Sequence, residues 1–185
     1  MIEPAENPEL WAFLGSLREG QLLSGTVAAI EPFGVFVALD EGPPHPRFPG
    51  VGFLTLPELS WRRLDEASQA VRVGQRVTCV FLRFDTWNGE ARLSLRGARP
   101  DPFQAFAGRV GVGQELTARV VERLPFGILV EVADGIEGVV HVSELAPDRP
   151  DPERDFSVGD EITVAVTGVD RQRRTVALSR RRAAS

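Results

Sequence analysis

The chain has 185 residues, enough for two small domains rather than one large core, and a formal net charge of −5 from 21 basic and 26 acidic residues. That balance argues against non-specific duplex binding while leaving room for a local basic groove. Every basic residue is arginine, which excludes a phosphate-loop lysine, a Schiff-base lysine and a lysine general base, and two histidines with one cysteine (Cys79) leave no internal disulfide and a poor ligand set for zinc.

The acidic start Met1-Ile2-Glu3-Pro4-Ala5-Glu6 reads as a frayed lead-in. It lacks the basic and then apolar pattern of a signal peptide, and no apolar run approaches the roughly 20 residues of a membrane span, so a cytoplasmic location and no membrane partner are expected. Asn7 as N-cap, Pro8 in the first turn, Glu9 at the positive end of the dipole, and Leu10, Phe13, Leu14 and Leu17 at helical spacing predict a short amphipathic helix closing residues 1–17.

From Gly20 to Ile30 apolar and β-branched residues partly alternate with polar ones, which predicts a first strand, and further strands are expected at 34–39, 51–56, 75–84 and 91–95. The Pro-rich stretch Glu41 to Pro49 separates the second strand from the third. It is expected either to shield or extend a binding face or to be an inert insertion. Leu59, Arg63, Leu64 and Ala67 make 57–72 helix-friendly, with Trp61 expected to cap the barrel. The Asn88-Gly89 pair within Trp87–Glu90 fits a type I′ hairpin turn.

The pattern then repeats. Ala12-Phe13, Gly20-Gln21 and Phe33-Gly34 recur as Ala105-Phe106, Gly113-Gln114 and Phe126-Gly127, each pair 93 positions on, and the offset falls to 85 by Asp85 and Asp170. The offset is already 86 at Gly52 and Gly138, which places about seven extra residues of the first copy in the 40–50 stretch and one more between 59 and 73. A helix opening at Asp101-Pro102 and strands at 113–124, 127–132, 138–142, 160–169 and 175–179 are predicted for the second copy, with 143–157 mostly loop because of Pro147, Pro150 and Pro152. The expected boundaries are 18–97 for the first domain, 98–110 for a linker with a short helix, 111–180 for the second domain, and 181–185 for a basic tail.

Five strands with a helical or irregular connection between the third and fourth is the layout of the OB-fold, so an all-β chain of two tandem five-stranded OB-fold barrels, each preceded by a short helix, is expected. The sequence Phe126-Gly127-Ile128-Leu129-Val130, then Gly138-Val139-Val140-His141-Val142-Ser143-Glu144-Leu145, then Val158-Gly159-Asp160-Glu161 and a closing Val176-Ala177-Leu178-Ser179, resembles the RNA-binding repeat of the ribosomal protein S-one family. The resemblance is strong over 111–180 and looser over 18–96.

That resemblance implies an RNA face on the second and third strands of each copy. Its stacking aromatics fall at Phe33 and Phe36 in the first copy and at Phe126 in the second, where Leu129 replaces the second ring. The family histidine falls at His141, where the first copy has Thr55, and its acidic turn residue at Asp170, with Arg171, Arg173 and Arg174 supplying a basic hairpin. Arg92, after the hairpin of the first copy, is a further nucleic-acid-binding candidate, and Trp87 at that hairpin's tip is a further stacking candidate. Gly34 is expected either to permit the bulge or twist that would bring Phe33 and Phe36 to one face or, without it, to leave one of the two rings in the core. Exposed rings beside arginines bind single strands with little sequence preference, because every base has a π-face.

The expected function is therefore non-catalytic binding of single-stranded RNA in translation or RNA metabolism, with the ribosome or other RNA-processing proteins as further partners. No cofactor and no small-molecule substrate are expected, and no catalytic constellation is visible. The alternative is a protein-interaction module whose degenerate barrels dock on a ribosomal, polymerase or nuclease partner.

Overall fold

The structure is a computed structural model that describes residues 1–145 and 151–180, divided into two units, Met1–Asp101 and Pro102–Ser185. In each unit five antiparallel or parallel-paired strands close into a barrel.

In the first unit β1 (Leu22–Glu31) alternates buried and exposed positions along its first half, and its inward Leu23 and Val27 meet Val35 and Val37 of β2 (Gly34–Leu39) in the core. β1 pairs antiparallel with β2 and with β4 (Arg76–Asp85); β2 pairs with β3 (Gly52–Leu54); β3 runs parallel to β5 (Glu90–Ser94), which returns to β4 and closes the ring. Helix α1 (Pro8–Ser16) buries Leu10 and Leu14 in the same cluster.

Several expectations are revised here. Asn7 holds the N-cap position of α1 but forms no cap bond; its Nδ2 donates instead to the Glu3 carbonyl at 3.2 Å. The lead-in is not frayed, because Ile2 is 3% exposed within the core and its N–H donates to the Trp87 carbonyl at 3.0 Å. The 57–72 connection forms no α-helix: it carries two single 3₁₀ turns, Leu56–Glu58 and Ala67–Gln69. Leu59, Ala67 and Val71 anchor it to the core, and widely spaced anchors need no continuous helical stripe. Trp61 lies half-buried on the 96–99 segment, its Nε1 donating to the Arg99 carbonyl at 3.3 Å with the Arg96 guanidinium 4.5 Å from its ring centre.

The hairpin between β4 and β5 is not a two-residue type I′ turn either. Thr86–Gly89 form a four-residue turn in which Gly89 has a left-handed φ of 63° and Asn88 does not, closed by Gly89 N–H on the Asp85 carbonyl at 2.8 Å.

The second unit repeats the plan with α2 (Pro102–Arg109), β6 (Glu115–Leu124), β7 (Gly127–Ala133), β8 (Ile136–His141), β9 (Glu161–Asp170) and β10 (Thr175–Ser179), ordered β10-β8-β7-β6-β9. Phe103 and Phe106 of α2 pack with Val120, Ile128, Val130, Val140, Val164 and Leu178. Within the connection expected to be loop, a short helix α3 (Pro152–Asp155) forms because Pro152 suits the first turn and the Asp151 carboxylate accepts from the Glu153 and Arg154 N–H groups at 3.0 and 3.4 Å. Pro147, Pro150 and the expected 181–185 tail lie outside the described residues.

Candidate nucleic-acid interface

Strand parity decides which rings reach the surface. On β2, Val35 and Val37 point inward at 0% exposure, so Phe36 points outward, and Phe53 of β3, directly opposite in register, shares its face. Both rings are nevertheless buried, at 4% and 6%, and neither belongs to the core cluster. They are covered from outside. Phe33 stacks on Phe53 (ring centres 6.0 Å apart, 23° between planes) and meets Phe36 edge-on at 6.1 Å. From the 41–50 insertion Phe48 stacks on Phe36 at 5.2 Å, and His45 stacks on Phe48 at 4.7 Å.

Gly34 is required for this arrangement. A methyl group there would lie 2.3 Å from Phe53 Cζ and 2.6 Å from the Leu54 carbonyl oxygen. Phe33, 63% exposed, is thus the ring of the cluster with surface to offer, whereas Phe36, expected to be a second stacking platform, is its floor.

The last hairpin of the first barrel stands beside the insertion. His45 Nδ1 accepts from the Arg47 and Phe48 backbone N–H groups, both at 3.1 Å, which leaves Nε2 to donate to the Asn88 carbonyl at 2.7 Å. Burial pushes the imidazole pKa down, with Asn88 acting the other way. Asp85 Oδ1 accepts from Trp87 N–H (2.8 Å) and Asn88 N–H (3.1 Å), and the Asn88 bond is the main cause of its lowered carboxyl pKa. Trp87 itself is 65% exposed.

Arg92 lies 4.9 Å from the Phe53 ring centre, but it also reaches Asp85 at 3.0 Å and Glu90 at 3.7 Å, so two carboxylates compete with any phosphate for its charge. Glu90 is buried, which raises its pKa against the pull of Arg92. Arg83, opposite Arg92 in register, is exposed on the same face. Phe53, Phe48, His45 and Arg83 were not singled out by their spacing. The signal for Phe53 lay in hairpin register, which sets it opposite Phe36.

The second barrel builds the matching surface from different side chains. Phe126 is 51% exposed at the head of β7. Gly127 pairs with His141, and a methyl on it would lie 2.3 Å from the Val140 carbonyl oxygen, so this close crossing also needs glycine. His141 is exposed beside Phe126, its Nδ1 accepting from Ser143 N–H at 3.2 Å and 2.8 Å from Ser143 Oγ. Where the first barrel has Phe36, Phe53 and Arg92, the second has Leu129, Val139 and Ala177, an aliphatic floor with Val139 36% exposed.

In the last hairpin Asp170 Oδ1 accepts from Arg173 N–H at 2.9 Å, and Arg171 and Arg173 are exposed. Arg174 differs from its expected place among them. It takes a left-handed φ of 54° where the first barrel has Gly89, and its guanidinium lies 5.7 Å from the Phe103 ring centre, directed at α2. Arg180 lies 5.2 Å from the Phe156 ring centre, while Arg181 and Arg182 are outside the described residues.

Among the described residues no group of three His, Cys, Asp or Glu side chains could hold a metal ion, and no helix is long and apolar enough to cross a membrane. Cys79 is buried and its thiol pKa is pushed up to about 11 by burial.

The chain matches the family model of the S1 RNA binding domain twice, over residues 16–96 and 109–181. It is 38% identical over 184 residues to the small ribosomal subunit protein bS1 of Mycobacterium tuberculosis, an alignment covering 98% of this chain and 36% of that protein. It is 33% identical to the protein of the same name from Pseudomonas aeruginosa over 96% of this chain and 31% of that one. The chain therefore spans about a third of the length of these curated relatives. Among solved structures it is similar to GSP13 from Bacillus subtilis at 32% identity and a TM-score of 0.36, covering 40% of this chain and 57% of that one.

Proposed function

The chain belongs to the S1 RNA-binding domain family, with one copy in each barrel, and from that premise we propose that it is a non-catalytic protein with a single-stranded RNA-binding surface on each barrel, acting in the cytoplasm in translation. The observation that carries the reading is the pair of exposed rings, Phe33 and Phe126, at matched positions heading β2 and β7. Phe33 rests on Phe53 and Phe36, which support it from one side and leave a face for a base, and Phe126 is half exposed. His141 beside Phe126, Arg83 opposite Arg92, and Arg171 with Arg173 on the second hairpin supply donors and positive charge where a backbone would pass. Stacking and phosphate contacts of this kind bind unpaired nucleotides without reading sequence.

The ribosome is the proposed larger partner, a reading supported by the ribosomal relatives. The protein-docking alternative draws on the missing second ring at Leu129, Thr55 in place of a histidine and the net charge of −5, whereas the two S1 RNA binding domain matches and the ribosomal relatives favour RNA. Fluorescence anisotropy with a short labelled single-stranded RNA tests the proposal. Binding that weakens as salt rises, prefers single strand to duplex and falls with Phe126→Ala and His141→Ala is expected. Salt-independent binding, or none, would overturn it.

A further inference from the structure

The two most exposed rings of the first unit, Phe33 and Trp87, sit on different elements, one heading β2 and the other in the Thr86–Gly89 turn. A hairpin tip on a small barrel sways unless something ties it down. This one is tied three times: Ile2 N–H to the Trp87 carbonyl at 3.0 Å, the Asp85 carboxylate to the Trp87 and Asn88 N–H groups, and His45 Nε2–H to the Asn88 carbonyl at 2.7 Å.

The third tie comes from the insertion, whose own rings run back to Phe33. His45 stacks on Phe48, Phe48 on Phe36, Phe36 packs on Phe53 at 5.1 Å, and Phe53 stacks under Phe33. One unbroken line of contacts therefore links the peptide after Trp87 to Phe33. The second copy lacks both features together, having neither the insertion nor a ring in its hairpin, where Arg171, Gln172, Arg173 and Arg174 stand. Arg47, next to Phe48 on the insertion, is exposed and adds a cation to this surface.

We propose that the 41–50 insertion is part of the first barrel's RNA site, with His45 as the positioning residue that fixes Trp87 relative to Phe33 so that both rings stack on bases of one strand. This rests on the single-stranded RNA reading above. Preorganisation is the physical gain: a ring already held in place loses less freedom when a base stacks on it than one on a free tip does.

The test uses the full chain and a short labelled single-stranded RNA in anisotropy titrations of Phe33→Ala, Trp87→Ala, His45→Asn, His45→Gln and the double variant Trp87→Ala with His45→Asn. The asparagine oxygen can stand in for Nδ1 but cannot reach Asn88, whereas the glutamine amide nitrogen reaches as far as Nε2 and can restore that bond. Trp87→Ala is expected to weaken binding roughly 5- to 150-fold, the range of one lost base stack. His45→Asn should weaken it less, His45→Gln should recover much of the loss, and His45→Asn should cost nothing further once Trp87 is gone.

If Phe33→Ala weakens binding while Trp87→Ala does not, the proposal falls and the RNA reading stands. If neither changes it, both fall for this barrel. A His45→Asn effect equal with and without Trp87 would show that His45 does not act through the indole and would also overturn it. Should His45→Asn fail to fold, native affinity in Trp87→Ala at its exposed tip still overturns the proposal, and His45→Gln measured with and without Trp87 carries the test of His45.

Discussion

Replacing Phe33 and Phe36 by alanine separates a contact from a floor. The Phe33 ring is 63% exposed and touches two neighbours, Phe53 at 6.0 Å and Phe36 at 6.1 Å. Aromatic pairs contribute about 0.5–1.5 kcal/mol beyond their area, and a ring this exposed gives up little burial, so Phe33→Ala should destabilise the first unit by only about 1 kcal/mol. Its effect on binding should be larger, about 1–3 kcal/mol for a lost base stack. Phe36 is the opposite case. It is 4% exposed and carries Phe33, Phe48 and Phe53 around it, so Phe36→Ala opens a hole costing about 3–5 kcal/mol. That is a large share of the roughly 5–15 kcal/mol a domain typically has. Urea melts and anisotropy titrations on the same preparations measure both quantities. Phe33→Ala with native stability and native affinity would refute base stacking on Phe33. A Phe36→Ala variant that is stable yet binds poorly would refute the assignment of Phe36 to the floor.

Three other outcomes are expected. His45 has its pKa lowered from 6.5, first by burial and also by Arg47, so its docked form is neutral; the docking contribution is complete above the free value and is lost as pH falls through it, because the released loop takes the proton first. The hairpin packed against it carries the charged groups Asp85, Glu90 and Arg92, all of which are kept in His45→Gln. Affinity measured from about pH 8 to about pH 5 should therefore decline more in wild type than in that variant, and parallel curves would refute the linkage. Gly127→Ala should lower the unfolding midpoint of the second unit by several degrees, since its methyl would press to 2.3 Å against the Val140 carbonyl in the β7–β8 ladder; an unchanged melt would refute the close crossing. Cys79, buried with its thiol pushed up to about 11, should react with a thiol reagent at neutral pH only as fast as the first unit opens, and rapid labelling of the native protein would contradict its burial.

The duplication made most of the architecture readable in the sequence. Alternation along 22–27 and the recurrence of Phe33-Gly34 as Phe126-Gly127 mark strands and their order, because a half-buried strand must present every second residue to the core. The connections were less legible. Residues 57–72 have helix-forming spacing but only three buried anchors, and Pro152, which as a breaker predicts loop, opens α3 because proline is favoured where a helix begins. At the site, exposure of Phe33, Trp87, Phe126 and His141 matched what their positions suggested, whereas Phe36 did not, because what covers it is Phe48, twelve residues away across a proline-rich loop. The charge of Arg92 was likewise visible and its pairing with Asp85 and Glu90 was not, since that depends on the fold of the turn.

The place of the insertion follows from strand direction. Because β3 and β5 are parallel, with Gly52 opposite Ala91 and Phe53 opposite Arg92, the two strands begin at the same edge of the barrel. The loop leading into β3 and the hairpin leading into β5 must then emerge side by side. Lengthening the first by about seven residues is thus a direct way to reach the second without disturbing any strand pair. The second barrel has the same parallel pairing of β8 and β10, yet its β7–β8 connection is the tight Asp134-Gly135 turn, with Gly135 at a left-handed φ of 73°, too short to touch the neighbouring hairpin. The copies share a frame and differ where one loop can reach. That difference gives the first barrel a braced set of rings and leaves the second to Phe126, His141 and arginine.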